Sequence, residues 1–230
     1  MKNTRLCLRL AGLTTILSVI LLPGAALADT AETEMFDKGW QLRAYLSGID
    51  FSHSSQGLNR PGGPRGYNLE TGGGVGVNAE YRFSRRLGLD LGVLAGAGVD
   101  IEVATAGVGS TGLVTYDTVT FMPVTAGLDI HLTPDHRVDV YFCPMAALVY
   151  YSGLDIRVGG GTTTTAVNLD QDFALGAALG FGVPFGDRPW SFQANVMYLD
   201  TEINGTGPFG EILSSTYDAT TLGFGFGYRF

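Results

Sequence analysis

From about residue 39 onward the chain alternates, with large apolar residues at every second position and small or polar residues between them. The clearest stretch is the last nine residues. There Leu222, Phe224, Phe226, Tyr228 and Phe230 alternate with Gly223, Gly225, Gly227 and Arg229. A period of two places the two sets on opposite faces of a β-strand. The aromatic face is too greasy for water, and the opposite face is too small and polar to form the core of a soluble sandwich. Lipid on the first side and a narrow interior on the second satisfy both.

Eight alternating segments follow from this pattern, at about 39–52, 71–83, 86–104, 116–132, 137–156, 168–185, 189–203 and 215–230. Each is longer than the ~9–11 residues that a tilted strand needs to cross a bilayer. The connections alternate in length. Ser84-Arg85, Thr133 to His136 and Gly186 to Pro189 are tight turns, whereas 53–70, 105–115, 157–167 and 204–214 are longer and rich in Gly, Ser, Thr and Asn. Three short turns and four long loops suit an all-β, eight-stranded antiparallel up-and-down transmembrane β-barrel with both ends of the chain in the periplasm. The expected lipid face includes Val75, Val77, Ala79, Tyr81 and Phe83, then Leu87, Leu89, Leu91, Val93, Ala95 and Ala97. Aromatic residues gather at the short-turn end (Trp40, Phe142, Phe185, Trp190, Phe192) and again near the long loops (Tyr116, Tyr150, Phe173, Tyr198), as two interfacial girdles would. A soluble lipocalin-like barrel would show the reverse polarity.

The N-terminus fits export. Lys2, Arg5 and Arg9 precede an apolar run from Leu10 to Leu22, and Ala26-Leu27-Ala28 is a small-x-small cleavage site. The expected organisation is a signal peptide over 1–28, a periplasmic segment over 29–38 and the outer-membrane barrel over 39–230. Cys7 lies within the basic region and not at the cleavage point, which argues against a lipoprotein. The 14 Lys and Arg less three in the leader, set against 22 Asp and Glu, give the mature chain a charge of −11. Such a charge excludes nucleic acid as a partner. Only Cys143 would remain after cleavage, so neither an internal disulfide nor a cysteine zinc site is available, and no cofactor is expected. Glycine accounts for 34 of 230 residues, well above the usual ~7% and without collagen's triplet; a tight barrel interior gives a reason for it.

The inward face changes character along its length. Towards the short turns it collects Arg43, Glu80, Arg82, Asp90, Asp129, His131, Asp139, Gln193, Asn195 and Arg229. Charges confined together should pair, so this half reads as a polar periplasmic plug; a proton or ion path is the alternative. Towards the long loops the inward set is Ile49, Leu94, Val119, Phe121, Met145, Val149, Met197 and Leu199. That hydrophobic lumen is either a pocket for small apolar ligands or simply filler, since eight strands leave just enough room for side chains. Pro123 and Pro144 lie inside strands, where each removes a ladder donor. Folding the hairpin about Thr133 to His136 sets Pro123 opposite roughly residue 146, so the pair marks either a lateral seam or two β-bulges. His53, His131 and His136 fall in no arrangement of nucleophile, base and orienting acid, so an enzyme is not expected.

With these residues assembled, the chain resembles the OmpW/AlkL family of small outer-membrane proteins over nearly its whole mature length. The likeness runs through Trp40-Gln-Leu-Arg-Ala-Tyr45, Tyr81-Arg-Phe with Leu87-Gly-Leu-Asp-Leu91, and Phe121-Met-Pro-Val-Thr-Ala-Gly-Leu128. It continues in Asp187-Arg-Pro-Trp190 with Asn195-Val-Met-Tyr198 and ends in Gly227-Tyr-Arg-Phe230. The resemblance implies a hydrophobic channel that passes small apolar compounds and releases them sideways into the membrane. The alternative is a structural or surface-interaction barrel of OmpX/OmpA type, its loops contacting host, lipopolysaccharide or protein partners. Expected partners are outer-membrane lipid and lipopolysaccharide, small hydrophobic ligands, and the barrel-assembly machinery acting through the C-terminal strand.

Overall fold

The computed structural model describes residues 38–54, 64–69, 71–105, 113–152, 154–157, 164–207 and 210–230. The expected signal peptide and nearly all of the expected periplasmic segment lie outside these residues. Among the described residues there are eleven strands. Eight of them form the barrel wall: β1 (Gly39–Ser54), β3 (Gly72–Arg82), β4 (Leu87–Thr105), β5 (Leu113–His131), β6 (Asp139–Tyr151), β9 (Asp172–Pro184), β10 (Trp190–Gly207) and β11 (Gly210–Arg229). Each pairs antiparallel with its sequence neighbour in the wall, and β11 pairs back onto β1 from Gln41↔Arg229 to Ser54↔Thr216. The sheet therefore closes and leaves no edge in the membrane. The short β2 (Pro64–Leu69) adds to the upper end of β4, β7 (Leu154–Arg157) pairs β8 (Thr164–Leu169), and β8 adds to β10.

The side-chain alternation is as expected. Leu42, Leu46, Val75, Val77, Leu89, Leu91, Val93, Leu179, Phe181, Leu222, Phe224 and Phe226 are exposed on the outside, while the interleaved positions are mostly buried within. The aromatic girdle at the short turns is a stacked collar. Trp40 lies 5.0 Å from Tyr81, Trp190 4.9 Å from Tyr228, and Tyr228 4.9 Å from Phe230, centroid to centroid.

Three boundaries differ from the sequence reading. The β4–β5 and β10–β11 hairpins climb beyond the bilayer segments, to Thr105↔Leu113 and Gly207↔Gly210, so parts of the expected loops 105–115 and 204–214 are paired strand. The segment 137–156 breaks at Tyr151 and resumes as β7, and His53 belongs to β1 opposite Tyr217 rather than to a loop. The β5–β6 turn is also longer than four residues. The Thr133 hydroxyl donates to the Val138 carbonyl at 2.8 Å and accepts from the Val140 amide at 2.8 Å, which bridges the turn and moves the pairing. By contrast Gly186 supplies the left-handed residue (φ 63°) that the tight β9–β10 turn needs.

The exposed apolar band gives the first test. Leu91→Arg, near the middle of that band, should destabilise the barrel in lipid vesicles by about 2–4 kcal/mol, measured by urea unfolding. The same substitution at the rim residue Leu132 should cost far less.

Candidate functional site

Arg43 is the centre of the plug. It projects inward from β1 and is buried. Its guanidinium donates to Glu80 from β3, to Asp129 Oδ2 from β5 at 2.8 Å and to Asp90 Oδ2 from β4 at 3.3 Å. It also lies 4.5 Å above the Tyr141 ring of β6, close enough for a cation–π contact. The Tyr141 and Tyr45 hydroxyls are 3.3 Å apart, and Asn78 Nδ2 donates to Asp90 Oδ1 at 2.6 Å.

A second layer lies nearer the short turns. Arg82 contacts Glu80 Oε1 at 3.3 Å and Asp139 Oδ2 at 2.9 Å. His131 bridges Glu80 Oε1 at 2.8 Å from Nε2 and Asp139 Oδ2 at 2.9 Å from Nδ1. Glycine makes room for this packing. A Cβ on Gly88 would overlap the Glu80 carboxylate, and one on Gly180 would overlap the Tyr141 ring. Glu80, Asp129 and His131 also bring candidate metal-ligand atoms within 4.8 Å of one another. The Arg43 guanidinium already occupies Glu80 and Asp129, and a metal cation would have to displace that positive charge. In this structure the three side chains are tied into a salt-bridge network through Arg43 and Glu80.

Of the seven Arg, Asp and Glu residues expected in the plug, six (Arg43, Glu80, Arg82, Asp90, Asp129 and Asp139) thus meet in one network. Arg229 does not join it. It is the last residue of β11 and lies exposed at the short-turn mouth of the barrel, with no ion pair among the described residues. The alternation gave its face correctly, but at the very end of a strand that face opens to water. It lines a mouth cavity of about 180 Å3 together with Arg82, His131, Asp139, Trp190 and Gln193.

Above the plug the lumen becomes apolar. Ile49, Leu94, Val119, Phe121, Met145, Val149, Met197 and Leu199 are all buried in one cluster, with Phe51, Ile203 and Tyr217 added to it. Phe51 and Phe121 pack edge to face at 5.3 Å between centroids. The upper lumen is filled by its own side chains. An inner cavity of about 40 Å3 lies lower, where Leu94, Met145 and Met197 meet Arg43, Asp90 and Asp129. That is room for about one or two water molecules.

The prolines interrupt two seams, not one. Pro123 is opposite Val149 instead of residue 146, because the Thr133-bridged turn shifts the hairpin. Its side facing β6 is paired, and the break is on the β4 side, where Leu94 and Ala95 fall between the pairs Val93↔Val124 and Gly96↔Phe121. A register shift follows at Gly96/Val99. Pro144 pairs with Ala177 of β9, and its break faces β5, between Gly127↔Met145 and Ile130↔Phe142. Strand β5 is therefore loosened on both sides, at different depths. A missing N–H explains each gap.

The match between sequence and known proteins agrees with this geometry. Residues 14–230 match the family model described as outer membrane protein beta-barrel domain. The chain belongs to this family. It is an outer-membrane β-barrel protein, and its outer face contacts membrane lipid. Among solved structures it is similar to OprG from Pseudomonas aeruginosa, at 18% identity and a TM-score of 0.60, covering 84% of this chain and 96% of that one. AlkL, solved in lipid bilayers, is 18% identical with a TM-score of 0.55, covering 88% and 94%. Neisserial surface protein A is 12% identical with a TM-score of 0.50, covering 83% and 97%. At these identities the likeness is one of fold, and AlkL shows that the family suggested by the sequence motifs shares it. No curated protein matches the sequence.

Removing the central cation should be costly. Arg43→Met leaves three buried carboxylates facing one another and should lower stability by about 3–5 kcal/mol in urea unfolding. Arg229→Gln at the open mouth should stay within about 0.5 kcal/mol of the native barrel.

Proposed function

We propose that this barrel takes small apolar molecules from the cell exterior into the upper lumen and releases them sideways into the membrane. The observation that carries the reading is the sorting of the interior by depth. An apolar half faces the long loops, and a charge-locked half closes the route to the periplasm. A molecule that enters from outside then has only the wall as an exit. The two interrupted seams beside β5 are the places where the fewest backbone hydrogen bonds oppose separation.

Uptake needs motion, because Phe121, Ile49 and Val149 fill the chamber at rest. The flexible thioethers of Met145 and Met197, at the base of the chamber, can repack around guests of different shape. The eight upper-lumen residues line the path in this reading, and Arg43, Glu80, Arg82, Asp90, Asp129 and Asp139 form the seal below it. Arg229, outside the seal, has no part in it.

The decisive experiment follows an apolar fluorescent probe into proteoliposomes. Phe121→Arg and Met145→Arg should each reduce uptake at least tenfold, while heat-modifiable gel mobility shows that both barrels are folded. Native uptake no faster than that of empty vesicles would reject transport and leave a barrel that anchors its loops at the cell surface.

A further inference from the structure

The charge of the chain is unevenly placed. Its formal net charge is −8, yet six of its 14 Lys and Arg residues lie at the periplasmic rim: Lys38, Arg85, Arg86, Arg137, Arg188 and Arg229. All six are exposed. Among the described residues the exposed acidic side chains of that rim are Asp135 and Asp187, so its exposed side chains carry +4 (six minus two). Arg85 is held by Asp135, with Nε 2.6 Å from Oδ1, and the other rim cations have no ion pair among the described residues.

The arrangement of these charges identifies the partner. In the closed order of the wall, β11 is followed by β1, β3, β4, β5, β6, β9 and β10. Lys38 and Arg229 stand at the β11–β1 junction, Arg85 and Arg86 at the β3–β4 turn, Arg137 at the β5–β6 turn and Arg188 at the β9–β10 turn. Every periplasmic junction therefore contributes a cation. A protein or a polymer strand docks on one side of such a ring, whereas a lipid leaflet surrounds it. The aromatic collar fixes the depth. Trp40, Phe83, Phe185 and Trp190 are exposed immediately above the ring, at the level where aromatic side chains meet lipid headgroups.

We propose that this ring binds the phosphates of anionic phospholipids in the inner, periplasmic leaflet. Guanidinium forks suit phosphate oxygens, and the open mouth leaves the rim side chains free to reach outward. A Lys or Arg at an anionic surface is worth about a fivefold bias in local partition. The protein thereby selects the lipids that touch its lower rim, independently of what passes through its lumen.

The chain carries its own reporter for this contact. Its two tryptophans, Trp40 and Trp190, both lie in the collar and are 50% and 49% exposed. Quenching of their fluorescence by brominated phosphatidylglycerol would be compared with quenching by brominated phosphatidylcholine at equal mole fraction. We expect a preference for the anionic lipid of about three- to tenfold at 0.1 M salt. It should fall to near unity in Arg85→Gln/Arg86→Gln/Arg188→Gln, which leaves the plug untouched. It should also fall in the native protein at 1 M salt, where screening acts within about 3 Å. Equal quenching by the two lipids in the native barrel overturns the proposal and leaves the ring to a periplasmic polyanion. A preference that survives in the triple variant overturns it as well.

Discussion

The structure depends on how one buried guanidinium is shared. Arg43 of β1 meets carboxylates from β3, β4 and β5 and the ring of a tyrosine from β6, so five of the eight wall strands converge on one side chain. A buried ion cluster contributes little net stability, since desolvation offsets much of the attraction. Its effect is on register. A one-residue slip of β3, β4 or β5 would turn Glu80, Asp90 or Asp129 out into lipid. The network thus selects one stagger of the sheet, and with it the tilt and width of the barrel.

The lower half of the interior sets what the upper half can do. The short-turn half is filled by paired charges, so the apolar side chains above it pack against an ion network and not against open water. They collapse onto one another around Phe51 and Phe121. The boundary between the two halves is narrow. Met145 and Met197 share the lining of the inner cavity with Asp90 and Asp129, so the lumen changes from greasy to ionic within about one side-chain layer. In the proposed route, an apolar guest at that layer meets a rising cost of desolvation from the charges below it.

The wall was legible in the sequence because lipid on one side and a packed lumen on the other impose the same period of two along every strand. The same period sorted all eight apolar lumen residues and all seven charged plug residues onto the inner face, six of those seven at the depth of the network. The partners within the plug were not legible, since Arg43, Glu80, Asp90 and Asp129 come together only through the stagger between strands. The Pro123 register was missed for a local reason. The Thr133 hydroxyl bridges the turn through side-chain bonds that residue types alone do not announce. The upper hairpins were missed because strands beyond the bilayer lose the polarity contrast, and Thr- and Val-containing segments there look like loop. Arg229 was assigned by face but not by depth.

Ring closure has a consequence for the life of the chain before it is folded. The strand that completes the wall beside β1 is the last of the eight wall strands in chain order, and it pairs with the first of them. Until that joint forms, two long strands keep a full row of unsatisfied amides and carbonyls, which neither water-free lipid nor a crowded periplasm tolerates for long. A half-made barrel is therefore not a smaller version of the finished one but a different and sticky object. Closure is therefore all or nothing: satisfying the amides of one edge without the other leaves the sheet open.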